Sequence, residues 1–225
     1  MRDLAFALML LAALPLAVAR PFNAYLLWGW TALLAPTTFF YGWMVGNRVN
    51  FLCAVLTLVL LALGRVPWRD YQPNKVTWLY LLLAAHATLA FLLAYPGNPY
   101  NDQYFEFLIK GLLFCVVMPF FVRERVHFHA IFIVIALGLG IHGVLNGLKT
   151  LASGGGHNMM GPAGTMLGDR NHLSTALAVV LPVLFYLQTY AANRLVRLGY
   201  LGAFCVVVLA ILGGGSRAGF IAVSV

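Results

Sequence analysis

The sequence predicts an all-α protein, a polytopic transmembrane helix bundle with about 8–9 helices. Apolar residues make up 62% of the 225 residues, charged residues only 9%, and the mean hydropathy is +0.89. A soluble domain carries roughly 25% charged residues. So much apolar surface does not fit inside one soluble core, and we therefore expect the chain to lie in a lipid bilayer.

Eight apolar stretches come close to the roughly 20 residues that a helix needs to cross a bilayer. They cover residues 4–19, 22–40, 50–64, 76–94, 105–122, 127–148, 172–191 and 198–213. A final segment begins near Ser216. No soluble domain or linker separates these stretches, so residues 1–225 are predicted to form a single transmembrane domain. The stretch 30–49 holds one proline, two glycines and several aromatic residues, which is typical of an interfacial or re-entrant segment.

The first 20 residues resemble a signal peptide, because Arg2 is followed by an apolar stretch and by Ala-Val-Ala before Arg20. Asp3 interrupts the basic start, and Pro21 follows the potential cleavage site at once. The sequence therefore favours an uncleaved first helix, with cleavage as the alternative.

Basic residues cluster in three short loops between the predicted helices. These loops hold Arg65, Arg69 and Lys75, then Arg123 and Arg125, then Arg194 and Arg197. Two predicted helices separate each loop from the next, so all three share one side, which the positive-inside rule assigns to the cytoplasm. Loops 95–104, 149–171 and 213–217 then face outward, towards the periplasm if the cell is Gram-negative. This orientation also puts Arg2 outside, so a hairpin of the first two helices that does not fully cross is an alternative at the start.

The net charge of +8 does not indicate a nucleic-acid partner. The basic residues form no stripe interleaved with aromatic residues, and their clustering is explained by topology. The three cysteines, Cys53, Cys115 and Cys205, all lie in apolar runs without the spacing of metal ligands. Neither a disulfide framework nor a metal site is predicted.

The longest polar interruption, residues 148–175, holds six glycines that allow a close backbone approach to a ligand. Its polar residues include Lys149, His157, Asn158, Asp169, Arg170, Asn171 and His172. Asp169 or Asn171 can cap the helix that follows. The free N–H groups and the positive dipole end of that helix favour an anion such as phosphate.

The second interruption reads GGGSRAGF and contains Ser216 as a predicted N-cap. Arg217 then falls in the first helical turn, where a cation opposes the helix dipole, so helix stability does not explain it. Its planar guanidinium suits bidentate contact with phosphate or carboxylate. Lys149, Arg170 and Arg217 are thus predicted near one membrane surface, at the depth of the pyrophosphate of a lipid-linked sugar. Ordinary loop charges beside turn glycines are the alternative.

His142 and Asn146 stand four residues apart and share one face of a predicted helix. Gly143 and Gly147 form a small-xxx-small pattern on the same helix, which lets a neighbouring helix pack closely. We expect helix packing together with an interhelical hydrogen bond.

Several of these stretches together resemble the O-antigen ligase and polymerase superfamily of bacterial membrane glycosyltransferases. More narrowly, they resemble the O-glycosylation ligases associated with exosortase systems. It is carried by MRDLAFALMLLAALPLAVARPFNAYLLWGW, YGWMVGNRVNFLCAVLTLV, IHGVLNGLKTLASGGGHNMMGPAGTMLGDRNHLSTALAVVLPVLFYL and LGGGSRAGFIA. The likeness extends over nearly the whole chain but over only the N-terminal half of such a protein. The chain is therefore expected to be part of a protein of about a dozen helices.

The resemblance implies a ligase that moves a glycan from an undecaprenyl-diphosphate carrier to an acceptor at the periplasmic face of the inner membrane. The acceptor is a protein, a lipid or a polysaccharide, and the reaction needs neither a metal nor another cofactor. Arg217 matches the family's diphosphate-binding arginine after the glycines. Arg170 is a weaker match, because relatives often carry Asn or Asp there. Lys149, Asn171, His172 and Ser216 complete the candidate site.

In relatives the base that activates the acceptor is a histidine in a large later loop, and this sequence does not contain that loop. The resemblance therefore does not assign the base to His157 or His172, and the chain alone is expected to be inactive. A polysaccharide polymerase of the same superfamily is an alternative function. A flippase or transporter is another, although the paired discontinuous helices of many transporters are not evident.

Overall fold

The computed structural model describes residues 2–66, 71, 73–94 and 98–224, and within them the chain forms nine α-helices and no strand. In chain order α1 to α9 cover Arg2–Ala19, Pro21–Leu34, Val49–Ala62, Lys75–Leu93, Pro99–Phe121, Arg125–Ala152, Arg170–Tyr190, Arg194–Gly213 and Arg217–Ser224. Six of these helices, α1 and α4 to α8, are long and apolar enough to span a membrane. The predicted all-α transmembrane bundle is confirmed, and the chain is a multi-pass membrane protein.

Asparagine and aspartate side chains determine where four of the helices begin. Each accepts a hydrogen bond of 2.7–3.1 Å from a backbone N–H in the first turn of its helix, as an N-cap does. The caps of α4, α5, α7 and α8 are Asn74, Asn98, Asp169 and Asn193. Because such caps lie outside the apolar runs, the helices begin earlier than hydropathy alone predicts. α5 starts at Pro99 instead of residue 105, and α8 at Arg194 instead of residue 198.

The predicted span 22–40 is not one continuous helix. α2 ends at Leu34 because Ala35 adopts a left-handed conformation with φ of 46°, and a 3₁₀ turn follows over Pro36–Phe39. α2 and α3 contain 14 residues each, about 21 Å of helix, which is less than the roughly 30 Å of a hydrocarbon core. The irregular segment predicted over residues 30–49 is present, but it extends over residues 35–48.

Asp3 ties this irregular segment to the start of α1. Its carboxylate is buried and accepts hydrogen bonds from the backbone N–H groups of Gly42, at 3.0 Å, and Met44, at 3.2 Å. At the other end of α1, Ala17 packs with Ala24 of α2, so the two helices form an antiparallel pair. The start of the chain therefore packs on the bundle as its first helix.

The long helices alternate in direction, which gives the bundle two distinct ends. The ring of Phe22 contacts that of His127, and Leu33 meets Gly138, so α2 and α6 run in parallel. Residues 153–169 and 214–216 lie at one end, which we name the glycine-loop end. The segments 122–124 and 191–193 lie at the opposite end, the basic-loop end. Arg69, one of the basic residues on which the predicted orientation depends, lies outside the described residues.

The core of the C-terminal half is formed by α6, α7 and α8. A Cβ atom on Gly143 would lie 2.7 Å from Leu177 and 2.8 Å from Val207, and one on Gly147 would overlap the backbone of Val206. The close helix packing predicted from the small-xxx-small pattern is therefore confirmed, because these glycines let the backbone of α8 contact α6 directly. This close packing fixes the frame on which the glycine-loop end is built.

Candidate functional site

Four helix ends converge at the glycine-loop end. The last turn of α6 meets the last turn of α8, where Thr150 packs directly on Gly213. The N-terminal part of α7 meets α9, where Ser174 packs on Gly219 without room for a Cβ between them. The bundle therefore presents two helix N-termini, those of α7 and α9, beside two helix C-termini.

A hydrogen bond joins the two N-termini directly. The Ser216 hydroxyl donates to Oδ1 of Asn171 at 2.9 Å, across 45 residues of chain. Ser216 also accepts from the backbone N–H of Gly219 at 3.2 Å, so it caps α9 as the sequence predicts. Of the two predicted caps of α7, the structure selects Asp169, which accepts from the N–H of Asn171 at 2.7 Å and whose pKa this bond holds below its ordinary value. Asn171 serves the contact between the helices instead.

Arg170 and Arg217 flank this bonded pair. Each is the first residue of its helix and the immediate neighbour of a bonded residue, Asn171 for Arg170 and Ser216 for Arg217. We name the bonded pair the Asn171–Ser216 junction. Consecutive Cα atoms are about 3.8 Å apart, so the Cα atom of each arginine lies at that distance from a residue of the junction. Both are exposed, and neither forms an ion pair with any acidic side chain in the described ranges. Two guanidinium groups thus lie beside two helix N-termini, of which that of α7 is capped by the carboxylate of Asp169 and that of α9 by the neutral hydroxyl of Ser216.

Lys149 lies in the last turn of α6 and is also exposed. Its neighbour Thr150 packs on Gly213, so Lys149 belongs to the same end of the bundle as the arginines. A cation in a last turn also complements the dipole of its own helix, which is a sufficient local reason for its presence. Lys149 therefore shares the end of the bundle with the arginines without belonging to the Asn171–Ser216 junction.

His172 orders the loop that precedes it. Its Nδ1 donates to the carbonyl of Met166 at 2.9 Å, which ties the start of α7 to the glycine loop. Within that loop the N–H of Gly161 donates to the carbonyl of Gly168 at 3.3 Å, and a Cβ on Gly161 would overlap the carbonyl of Leu167. The loop closes on itself, and His172 holds the closed loop against the helix.

His142 and Asn146 are both buried. His142 makes the expected interhelical hydrogen bond, because its Nε2 lies 2.8 Å from the carbonyl oxygen of Leu34 at the end of α2. Asn146 instead bonds the glycine loop. Its Nδ2 donates to the carbonyl of His142 at 2.8 Å and to that of Met160 at 3.5 Å, and its Oδ1 lies 3.0 Å from Nε2 of His157.

The link between Asn146 and His157 is a feature that the sequence did not predict. A buried asparagine in a membrane helix indicates that a polar partner is present. Hydropathy does not indicate which residue that partner is, because it does not predict the path of the loop.

Residues 1–192 match a family of unknown function, DUF5935. This match extends over most of the 225 residues. The chain belongs to the DUF5935 family. No curated protein and no solved structure matches it.

The DUF5935 match divides the candidate site. Lys149, Arg170, Asn171 and His172 fall inside the matched residues, together with the bond between Asn146 and His157. Ser216 and Arg217 follow the matched region. The site therefore joins α7, inside the family region, to α9, which lies beyond it.

Proposed function

We propose that this DUF5935 protein is a membrane glycosyltransferase, a ligase that transfers a glycan from an undecaprenyl-diphosphate carrier to an acceptor at the periplasmic face. The observation that carries the proposal is the hydrogen bond between Ser216 and Asn171. It brings two helix N-termini together with Arg170 and Arg217 beside them. Such an arrangement suits a diphosphate, because the two guanidinium groups and the dipole of α9, whose cap Ser216 is neutral, favour a polyanion. The sequence likeness to O-antigen ligases supports the same conclusion.

The depth of the site agrees with a lipid-linked substrate. α6 contains 28 residues, about 42 Å of helix, which exceeds a hydrocarbon core of roughly 30 Å. If its basic start at Arg125 marks one interface, its last turn with Lys149 reaches beyond the other. The headgroup region at that level is where the diphosphate of a membrane-embedded carrier lies.

The proposed roles follow from the charge that develops during the reaction. An acceptor hydroxyl attacks the anomeric carbon and loses its proton to a base that is not assigned to a residue of this chain. The bond from that carbon to the diphosphate breaks, and the leaving phosphate oxygen gains negative charge. Arg217 and Arg170 stabilise this charge more in the transition state than in the bound substrate. We assign Asn171 and Ser216 the task of holding the two arginine-bearing helix ends together. Lys149 adds positive potential at the same end.

The experiment is a reconstituted transfer assay on the full-length gene product in detergent. It would be incubated with an undecaprenyl-diphosphate-linked glycan and with candidate protein, lipid or glycan acceptors, while the release of undecaprenyl diphosphate is followed. Release that requires an acceptor supports a ligase, and the lengthening of a glycan that stays on its carrier supports a polymerase. Movement of the glycolipid across vesicles without any release would overturn the proposal in favour of a flippase.

A further inference from the structure

The hydrogen bonds of Asn146 fix which nitrogen of His157 carries a proton. Nδ2 of Asn146 donates to two backbone carbonyls, which only accept, so its Oδ1 is the atom that faces His157. An amide oxygen also only accepts, so Nε2 of the neutral imidazole carries the hydrogen. Nδ1 is left with a lone pair and has no hydrogen-bond partner in the part of the chain that the structure describes. A buried side chain thus holds a ring whose other nitrogen is a fixed acceptor.

His157 lies at the same end of the bundle as the arginines. Met159, two residues later, is fully buried, and a Cβ on Gly214 would lie 2.9 Å from its Cε atom. Gly214 precedes Arg217 by three residues. His157 itself is partly exposed, so its ring is accessible from the glycine-loop end. The loop that carries His157 therefore packs on the end of α8, which leads into α9 and Arg217.

The depth of His157 is set by its partner. Asn146 follows Arg125 by 21 residues (146 − 125), about 31 Å along the helix axis, which matches a hydrocarbon core of roughly 30 Å. Asn146 and the ring of His157 are therefore at the level of the outer boundary of the core. The ring therefore lies where the hydrocarbon core meets the polar headgroup region, so a polar group of a ligand can reach it.

We propose that Nδ1 of His157 binds a hydroxyl group of the carrier-linked sugar. This inference rests on the proposed function and adds a subsite for the glycan beside that for the diphosphate. Nδ1 of the neutral ring accepts a hydrogen bond and therefore needs a ligand that donates one. The hydrocarbon tail has no donor, and phosphate oxygens are repelled by the lone pair of Nδ1. Sugar hydroxyls supply such donors. Asn146 acts as a positioning residue, because it sets the tautomer and orientation of the ring without contacting the sugar.

The test compares two ligands for the full-length protein, undecaprenyl diphosphate and undecaprenyl-diphosphate-linked sugar. We expect His157→Ala to weaken binding of the sugar-bearing lipid about two- to tenfold, the effect of one lost hydrogen bond, and to leave undecaprenyl diphosphate unaffected. Asn146→Ala should produce the same pattern, because the ring loses its anchor. Arg217→Ala should weaken both ligands. His86→Ala, which removes an exposed histidine of α4, is the matched control and should change neither affinity.

The outcomes separate the two proposals. If the wild-type protein binds neither lipid, the proposed function fails. If it binds both and His157→Ala weakens neither, or weakens both equally, the sugar subsite is wrong while the proposed function stands.

A measurement on the wild-type protein avoids any folding defect of the variants. The sugar-bearing lipid, but not undecaprenyl diphosphate, should protect His157 from acylation by diethyl pyrocarbonate, as read by mass spectrometry. Equal protection by both lipids would overturn the subsite.

Discussion

Gly147 of α6 lies against the backbone carbonyl of Val206 in α8, with no room for a side chain between them. A Cβ on Gly147 would also lie 2.6 Å from Cγ1 of Val206, so an added methyl group forces the two helices apart. Overpacking of this kind costs about 1–3 kcal/mol. We therefore expect Gly147→Ala to lower the midpoint of thermal unfolding of the purified protein in detergent.

Gly202 provides the matched control for this prediction. It lies on α8, one turn before Val206, and a Cβ there would meet nothing within 4 Å. Alanine is favoured over glycine inside a helix by about 0.5–1 kcal/mol, so Gly202→Ala should leave the midpoint unchanged or raise it slightly. An equal fall in both variants would contradict the close approach at Gly147.

The bond between Ser216 and Asn171 predicts an energetic coupling between α7 and α9. Ser216→Ala also removes the cap of α9, so single variants do not isolate the bond. A double-mutant cycle that combines Ser216→Ala with Asn171→Ala isolates the bond. It should give a coupling of about 0.5–1.5 kcal/mol in the free energy of unfolding. The control pairs Ser216→Ala with Asn193→Ala, which removes the cap of α8 at the basic-loop end. The two substitutions of the control pair should have additive effects on the free energy of unfolding. Additive effects in both pairs would mean that the Ser216–Asn171 bond contributes nothing to stability.

The sequence predicts the helices well because hydropathy reports burial in lipid directly. The predicted spans 127–148 and 172–191 correspond to α6 and α7, with boundaries shifted by a few residues because caps lie outside the apolar runs. The predicted span 22–40 was wrong as a single helix. Its break depends on the left-handed backbone of Ala35, and alanine carries no sequence signal for that conformation.

The candidate site was less predictable than the helices. The cap at Ser216 and the first-turn position of Arg217 follow from local sequence, and the structure agrees with both. The partners of Asn171 and Asn146 do not follow, because each bond spans a loop whose path is set by packing. Met159 shows why, since its fully buried side chain draws the polar loop onto α8. A long-range contact made by a single loop residue produces no periodic pattern in the sequence from which it could be predicted.

Asp3 should stabilise residues 40–48 of the irregular segment 35–48. Its buried carboxylate accepts from the N–H groups of Gly42 and Met44, and hydrogen bonds to a charged group contribute about 1.5–3 kcal/mol. We expect Asp3→Ala to speed amide hydrogen exchange in a peptide covering residues 40–48, as measured by mass spectrometry. Asp102→Ala removes an exposed aspartate from the first turn of α5 and should leave that peptide unchanged. Unchanged exchange in Asp3→Ala would refute the anchoring role.

Arg217 should be the most sensitive position in the transfer reaction. Removing one preorganised donor to a developing oxyanion costs about 10²–10³ in kcat, and we expect that loss for Arg217→Ala in the full-length protein. Arg217→Lys should also be impaired, because an ammonium group cannot make the two parallel contacts of a guanidinium. Arg197→Ala, an exposed arginine near the start of α8 and towards the basic-loop end, is the control and should retain activity. A rate for Arg217→Ala within about threefold of wild type would reject the assignment.

The two ends of the bundle should lie on opposite sides of the inner membrane. In a variant without the three native cysteines, Ser153→Cys lies at the glycine-loop end and Ala192→Cys at the basic-loop end, and both positions are exposed. The positive-inside rule places the basic-loop end in the cytoplasm. A membrane-impermeant maleimide that passes the outer membrane should therefore label Ser153→Cys in intact cells, and Ala192→Cys only after the inner membrane is disrupted. The reverse pattern would put Arg170 and Arg217 in the cytoplasm and exclude transfer at the periplasmic face.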